Sequence, residues 1–293
     1  MEFTGERFIP TESGEIRHEH LHRYAWCKDL ARGKAVLDIA CGEGYGSAML
    51  AEVAASVIGV DISDEAVGHA SATYANVGNL QYRQGDAAVI PLPDDCVDLV
   101  VSFETIEHHE RHVEMISEIR RVLKPDGVFV ISSPNRPVYS DKAGHHNEFH
   151  VKELDFAELD ELLRGYFPQV RYYGQRLAVG SAVAPMALED TQRDMEAFTD
   201  IGSDVVERSV RLIDPVYFVA IAAAEGIELP KLPPSVYFSE DEDLYNHHHE
   251  VAQWARRIDG ELGLVREKYA SLVNEHEEMA QWAKGLVRAA SMF

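Results

Sequence analysis

Val36-Leu-Asp-Ile-Ala-Cys-Gly-Glu-Gly-Tyr-Gly46 decides how this chain folds. Val36 to Ile39 is a short apolar run that suits a buried strand. Gly42, Gly44 and Gly46 supply a turn in which backbone can come very close to a ligand, and the stretch from about Ser47 to Ala54 predicts a helix. Strand, glycine turn and helix in that order form the cofactor-binding entry of a doubly wound sheet. The glycines fall as G-x-G-x-G, not in the dinucleotide spacing G-x-G-x-x-G. Asp38 and Glu43 sit in or beside the turn, and two carboxylates repel a pyrophosphate but suit a ligand carrying positive charge.

The pattern continues downstream. Ser56-Val-Ile-Gly-Val-Asp61 predicts a second strand, and its terminal acid follows Asp38 by about the 20 residues expected of a group that grips a ribose diol. Ser63-Asp-Glu-Ala66 has the character of a helix cap. Leu80 to Gln84 predicts a third strand, followed by Gly85-Asp86-Ala87, and Val97 to Val101 a fourth, apolar enough to be covered on both faces. An amphipathic helix over 113–123 leads through Lys124-Pro-Asp-Gly127 to a fifth strand over 128–132. Further on come a helix over 154–163, a sixth strand over 170–174 and a seventh over 217–223. The insertion 177–215 is far longer than a plain hairpin loop of about 2–5 residues and reads as a lid or substrate wall.

The segment Ser102-Phe-Glu-Thr-Ile-Glu-His-His109 follows the fourth strand, on the edge where open α/β sheets bind ligands. Glu104, Glu107 and His108 stand at i, i+3 and i+4, so a helix there would place them on one face. Two carboxylates and an imidazole can hold a divalent metal, with His150 as a fourth ligand. They can equally serve as a metal-free set that removes a proton and orients a substrate. An alcohol is a poor nucleophile at neutral pH and needs a base or a metal, so His108, His150 and Glu107 are the catalytic candidates, with His109 and His145 in reserve.

Composition narrows the function classes. A net charge of −23, from 27 basic and 50 acidic residues, excludes a broad nucleic-acid or anionic-membrane surface. Cys27, Cys41 and Cys96 lack zinc spacing and suggest a reducing cytoplasm. No apolar run approaches the ~20 residues needed to span a bilayer, and the N-terminus has no signal-peptide core. The first residues, with Phe3, Phe8 and Ile9, are expected to dock on the domain, where Arg7 is a candidate for an anionic group.

These motifs together resemble the class I S-adenosylmethionine (SAM) methyltransferases, whose first motif reads much like Leu37-Asp-Ile-Ala-Cys-Gly-Glu-Gly44. The resemblance implies an α/β fold, a Rossmann-like seven-stranded sheet with helices on both faces and its last strand antiparallel. It also implies SAM as cofactor, held at Asp38, Ala40, Gly42, Gly44, Tyr45, Asp61, Ile62, Asp86, Ala87 and Phe103, with Asp86 accepting from the adenine amino group. The Glu-x-x-Glu-His pattern with a later histidine is similar to that of small-RNA 2′-O-methyltransferases and some ubiquinone-pathway O-methyltransferases, where it holds magnesium or a similar ion. Many relatives carry Glu-His at this place with no metal.

Gly5-Glu-Arg-Phe-Ile-Pro10, His146 to Glu153, and Pro234-Ser-Val-Tyr-Phe238 resemble bacterial methyltransferases of surface-polysaccharide (O-antigen) biosynthesis. That likeness implies methyl transfer to a sugar hydroxyl or sugar-linked phosphate on a glycan or nucleotide-sugar, with polysaccharide-assembly partners at the inner face of the membrane. The competing readings are a small-molecule O- or N-methyltransferase for a quinone or natural product, and a coiled-coil scaffold with a vestigial cofactor domain.

The expected domain spans 1–228. A proline-rich, acidic linker over 229–245 would then lead to a helical segment over 246–293. There Val251, Ile258, Val265, Leu272, Met279 and Leu286 recur every seventh residue, with Trp254 and Trp282 beside them, which reads as a coiled coil favouring a homo-oligomer. The adjacent His247, His248 and His249 cannot all face one metal from a helix. The chain reaches Phe293 without a helix stop signal, as a module of a longer protein would.

Overall fold

The computed structural model describes residues 14–144, 146–178, 199–200, 206–208, 212–239 and 244–290. Arg7, His145 and most of the 177–215 insertion lie outside the described residues.

A seven-stranded sheet carries the domain. Its strands are β1 (Ala35–Ile39), β2 (Ser56–Asp61), β3 (Leu80–Gln84), β4 (Val97–Ser102), β5 (Leu123–Pro134), β6 (Gln169–Gln175) and β9 (Tyr217–Ala223). Their order is β3-β2-β1-β4-β5-β9-β6, with β9 antiparallel to both neighbours and the other pairings parallel. In the insertion, β7 (Thr199–Asp200) and β8 (Val206–Glu207) form a separate antiparallel pair. Strand β5 begins earlier than the apolar pattern predicts, because Leu123 already pairs with Val97 before an irregularity over Lys124–Gly127 resets the register to Leu99–Val128.

Period-two alternation sorts the core onto the two faces of the sheet. Leu37, Val100 and Phe129 pack with Met115 and Ile119 of α4 (His112–Val122) and with Leu159 and Leu163 of α5 (Phe156–Arg164). Their chain neighbours Val36, Leu99, Val101 and Val130 face the other way. They meet Tyr24 and Cys27 of α1 (Glu15–Cys27) and Leu50 of α2 (Tyr45–Ala51). Local signals set the helix ends. Ser63 caps α3 (Asp64–Thr73) by accepting from the Ala66 amide, and Asp155 with Glu158 forms a reciprocal capping box on α5.

The proline-rich segment is not a free linker up to 245. Arg171 donates to the carbonyls of Leu229 and Pro230, the Leu232 amide donates to Tyr173 Oη, and Trp26 Nε1 donates to the Pro233 carbonyl at 2.9 Å. Tyr237 packs against the rings of His18 and His22. The first compact unit therefore runs to Ser239, not 228. The second unit contains one 47-residue helix, α6 (Leu244–Ala290). Its described heptad residues are solvent-facing, with Val265 61%, Leu272 63% and Trp282 69% exposed. No helix among the described residues is long and apolar enough to cross a membrane.

Candidate active site

A cleft with about 1520 Å3 of space, partly open to solvent, runs along the C-terminal ends of β1, β2, β3 and β4. Its first end is made by the glycine turn. The chain leaves β1 with Ala40 at φ 59° and Gly42 at φ 53°, then enters α2 from Gly44 at φ 83°. A Cβ built on Gly42 would meet nothing within 4 Å, so this backbone faces open space. The other two glycines serve packing. A Cβ on Gly44 would lie 2.4 Å from the Tyr82 hydroxyl, and one on Gly46 would lie 2.0 Å from the Tyr24 ring. Of the three glycines, Gly42 lines the cleft.

Asp38 also differs from expectation. Its carboxylate is completely buried behind the wall, where it accepts from Ser47 Oγ at 2.6 Å and from the Tyr24 hydroxyl at 3.1 Å. Burial raises its pKa to about 7, against the lowering by those two donors. Glu43 is likewise turned away, 3.8 Å from His69. The acid on the wall is Asp61, which accepts from the Gly42 and Ser63 amides, each at 2.9 Å, and so ties the glycine turn to the next one. Asp86 accepts from the Ala88 amide at 2.8 Å and pairs with Arg111 at 2.9 Å. Ala40, Tyr45, Ile62, Ala87 and Phe103 line the same cleft.

The second end follows β4. Glu104 has φ 50°, a left-handed conformation costly for a side-chain residue. Its amide donates to Ser132 Oγ at 3.0 Å, and that hydroxyl donates back to Glu104 Oε1 at 2.6 Å. Beyond it, Ile106–His108 makes a single 3-10 turn, so Glu104, Glu107 and His108 do not share a helical face. The ligand atoms of Glu107, His108 and His150 nevertheless come within 4.8 Å of one another, and Glu104 is not part of that group. Sheet topology and two backbone bonds bring them together. The Glu107 carbonyl accepts from the Val151 and Lys152 amides at 2.8 and 3.1 Å, pinning the His150 loop to the turn after β4.

Each side chain in this cluster is held differently. Glu107 is fully buried, and neither carboxylate oxygen has a hydrogen-bond partner. Burial, and then the charge of Glu104, raise its pKa well above the usual carboxylate range. His108 Nδ1 donates to the Phe149 carbonyl at 3.0 Å. His150 Nδ1 donates to Glu153 Oε1 at 2.6 Å, while Asn147 Nδ2 donates to its Nε2 at 3.0 Å. Tyr139 stacks on His150. His109 turns toward α4, with Nε2 3.2 Å from Met115 Sδ, and is displaced from the cluster.

Residues 37–131 match a family model described as a methyltransferase domain. Over 168 residues the chain is 43% identical to a probable S-adenosylmethionine-dependent methyltransferase of Mycolicibacterium smegmatis, covering 56% of this chain and 63% of that protein. It is 33% identical over 133 residues to a fatty-acid O-methyltransferase of the same organism, covering 44% of this chain and 48% of the other. The fold aligns with the YcgJ protein of Bacillus subtilis at a TM-score of 0.50 and 23% identity, over 71% of this chain and all of the other. The fold is the Rossmann-like methyltransferase fold, and residues 37–131 are similar to a methyltransferase domain. It spans less than two thirds of the length of the curated relatives it matches.

Behind Glu104 and Tyr217 of the cleft lies a buried group that the motifs did not reveal. Arg23 is 2% exposed, lies 4.4 Å over the Tyr217 ring, donates from Nε to Gln175 at 2.6 Å and approaches Glu104 Oε1 at 3.5 Å. Tyr217 in turn donates to Glu19 Oε2 at 2.9 Å. Burial raises the Glu19 carboxyl to about 7, against the opposing pull of Arg23. The trace in the sequence is slight: Glu19 and Arg23 share the buried stripe of α1 with Tyr24 and Cys27. Tyr139 and Asn147 were also missed, because nothing in a tyrosine or asparagine of a loop marks it as facing a histidine.

Proposed function

We propose that the chain transfers a methyl group from SAM to a hydroxyl of a sugar, nucleotide-sugar or glycan, in the cytoplasm and with polysaccharide-assembly proteins as partners. The observation that carries this reading is the Glu107–His108–His150 cluster in the same cleft as the open Gly42 backbone. The residues fit SAM. Gly42 leaves room for close backbone approach, and Asp61, Asp86 and Glu104 give the cleft the negative character that suits a sulfonium and an ammonium. SAM supplies the methyl group on a positively charged sulfur. Asp61, on the cleft wall, would accept from the ribose hydroxyls, and Tyr24 and Phe103 would exclude water from that end.

At the other end an imidazole would take the hydroxyl proton. The Nδ1 bonds of His108 and His150 place the basic lone pair on Nε2 in each. Asn147, Thr105 and Tyr139 add hydroxyl and amide groups around them, a wall better matched to a polyol than to a hydrocarbon. The fatty-acid O-methyltransferase among the relatives supports oxygen as the methylated atom. Self-association through α6 belongs to the same reading of a polysaccharide-assembly enzyme.

The test is methyl transfer from labelled SAM into nucleotide-sugars, lipid-linked glycan ends, fatty acids and small phenols. Label in a sugar, lost by about 10²–10⁴-fold in His150→Ala with SAM binding retained, is the expected result. Label in a fatty acid or phenol alone would overturn the sugar assignment, and absence of SAM binding would overturn the enzyme reading itself.

A further inference from the structure

We propose that residues 229–239 form a clasp on α1 whose docking is coupled to SAM binding: the cofactor fastens the clasp, and release of the clasp lowers cofactor affinity. The inference rests on SAM as the cofactor and is independent of the acceptor.

Helix α1 stands between cofactor and clasp. Ile16, His20 and Tyr24 line the cleft. His18, His22 and Trp26 hold the clasp. The two imidazoles lie 5.6 and 5.9 Å from the Tyr237 ring, and the indole N–H donates to the Pro233 carbonyl at 2.9 Å. Each trio has the i, i+4, i+8 spacing of one helical stripe. The offset of two residues turns the stripes about 200° apart, so they lie on nearly opposite sides of the helix. On the cleft side the Tyr24 hydroxyl donates to Asp38 and its ring packs where Gly46 leaves room, and His20 Nδ1 lies 3.1 Å from Tyr45 Oη.

The clasp is seated by chemistry that suits a proline-rich segment. Pro230, Pro233 and Pro234 have no amide to donate, so carbonyls are the groups to satisfy. Arg171 donates to those of Leu229 and Pro230 at 3.2 and 2.9 Å, and Trp26 to that of Pro233. The Leu232 amide donates to Tyr173 Oη at 3.1 Å, and the Tyr173 ring meets Trp26 edge-on at 4.7 Å. Leu229 and Leu232 reach the apolar cluster that also contains Tyr24 and Cys27. The clasp and the cofactor wall thus share one tyrosine.

The third side of α1 is a poor anchor by itself. There Glu19 and Arg23 are buried against β6 and β9, and neither Nη of Arg23 has a hydrogen-bond partner, which costs free energy. A 13-residue helix is marginal without tertiary support, and Gly14 at its N-cap brings no side chain. The helix therefore depends on its flanks. A ligand that orders it from one flank lowers the cost of docking on the other, and such coupling is reciprocal, typically about 5–150-fold.

Two measurements on the full chain test this. Trp26→Phe combined with Tyr173→Phe removes two clasp hydrogen bonds, Tyr237→Ala removes the ring contacts, and none of these residues lines the cleft. In calorimetric titration, SAM affinity should fall about 5–50-fold in each. Val236→Ser, at a clasp position that is 52% exposed, should leave it within about twofold. In the native chain, saturating SAM should slow deuterium exchange of peptides covering 229–239 by at least about fivefold, led by the Leu232 amide. Far-UV circular dichroism establishes that each variant is folded, and where one is not, exchange in the native chain decides alone. Unchanged SAM affinity in folded clasp variants, or exchange at 229–239 indifferent to SAM, would overturn the coupling and leave the cofactor assignment standing. No SAM binding by the native chain would overturn the cofactor assignment and the coupling with it.

Discussion

The two ends of the cleft are built on opposite principles. At the glycine end the carboxylates are satisfied: Asp61 holds two backbone amides, and Asp38 behind it is paired with Ser47 and Tyr24. At the acceptor end Glu107 is buried with no hydrogen bond to its carboxyl, His108 Nε2 standing 3.9 Å away, and Glu104 sits in a strained backbone conformation. Satisfied groups make a rigid floor, so that end is shaped before a ligand enters. Unsatisfied ones store free energy that only a ligand, a proton or a cation can release. The difference teaches where stability has been given up for chemistry.

The largest effect expected outside turnover lies beneath the acceptor end. Folding lifts the Glu19 carboxyl from its ordinary 4.5 to about 7, so the folded state holds the proton more tightly than the unfolded one. The stability this confers is complete below pH 4.5, declines as pH rises from 4.5 to 7, and is gone above that. Glu19→Gln should remove that slope, at most about 3 kcal/mol across the window, in urea unfolding followed against pH. An unchanged slope would mean Arg23 fully compensates the buried carboxylate.

Next in size, Asp61→Ala should lower stability by roughly 2 kcal/mol through the two amides it leaves unpaired, and weaken SAM binding at least about 10-fold. The mirror-image substitution is Glu107→Met, which exchanges a buried carboxyl without a hydrogen bond for a side chain of similar volume. It should raise the stability of the metal-free chain by about 1–3 kcal/mol while abolishing methyl transfer. Loss of stability in Glu107→Met would erase the contrast between the two ends.

The smallest effect on the cleft is expected from α6. Its exposed heptad suits pairing with a second copy, and Val265→Glu with Leu272→Glu should convert a dimer to the 32.8 kDa monomer in light scattering while SAM affinity stays within about twofold. A monomeric native chain at micromolar concentration would end the self-association proposal.

Much of the fold was legible because its signals are local. An apolar run with period-two burial, a glycine turn, a capping serine and an acid at a strand end each act within a few residues, so β1, β2, β3, β9 and the Ser63 cap stand where the residues place them. The α6 heptad was legible for the same reason. The site was legible in its membership and not in its arrangement. The i, i+3, i+4 spacing nominated Glu104 along with Glu107 and His108, but a left-handed residue before a 3-10 turn carries Glu104 to Arg23 and Ser132.

What the chain's order of residues determined by itself was the doubly wound sheet, the position of its ligand-binding edge and the set of acids and histidines on that edge. Only the tertiary structure decided that Gly42 faces the cleft while Gly44 and Gly46 make room for tyrosines, that Asp38 is sealed behind the wall, and that Glu107 meets His150 across more than forty positions. The reason is physical. Periodicity and turn chemistry are encoded between neighbours in the chain, whereas burial and pairing depend on which elements the sheet brings side by side, and here that juxtaposition rests on the Glu107 carbonyl accepting from the Val151 and Lys152 amides.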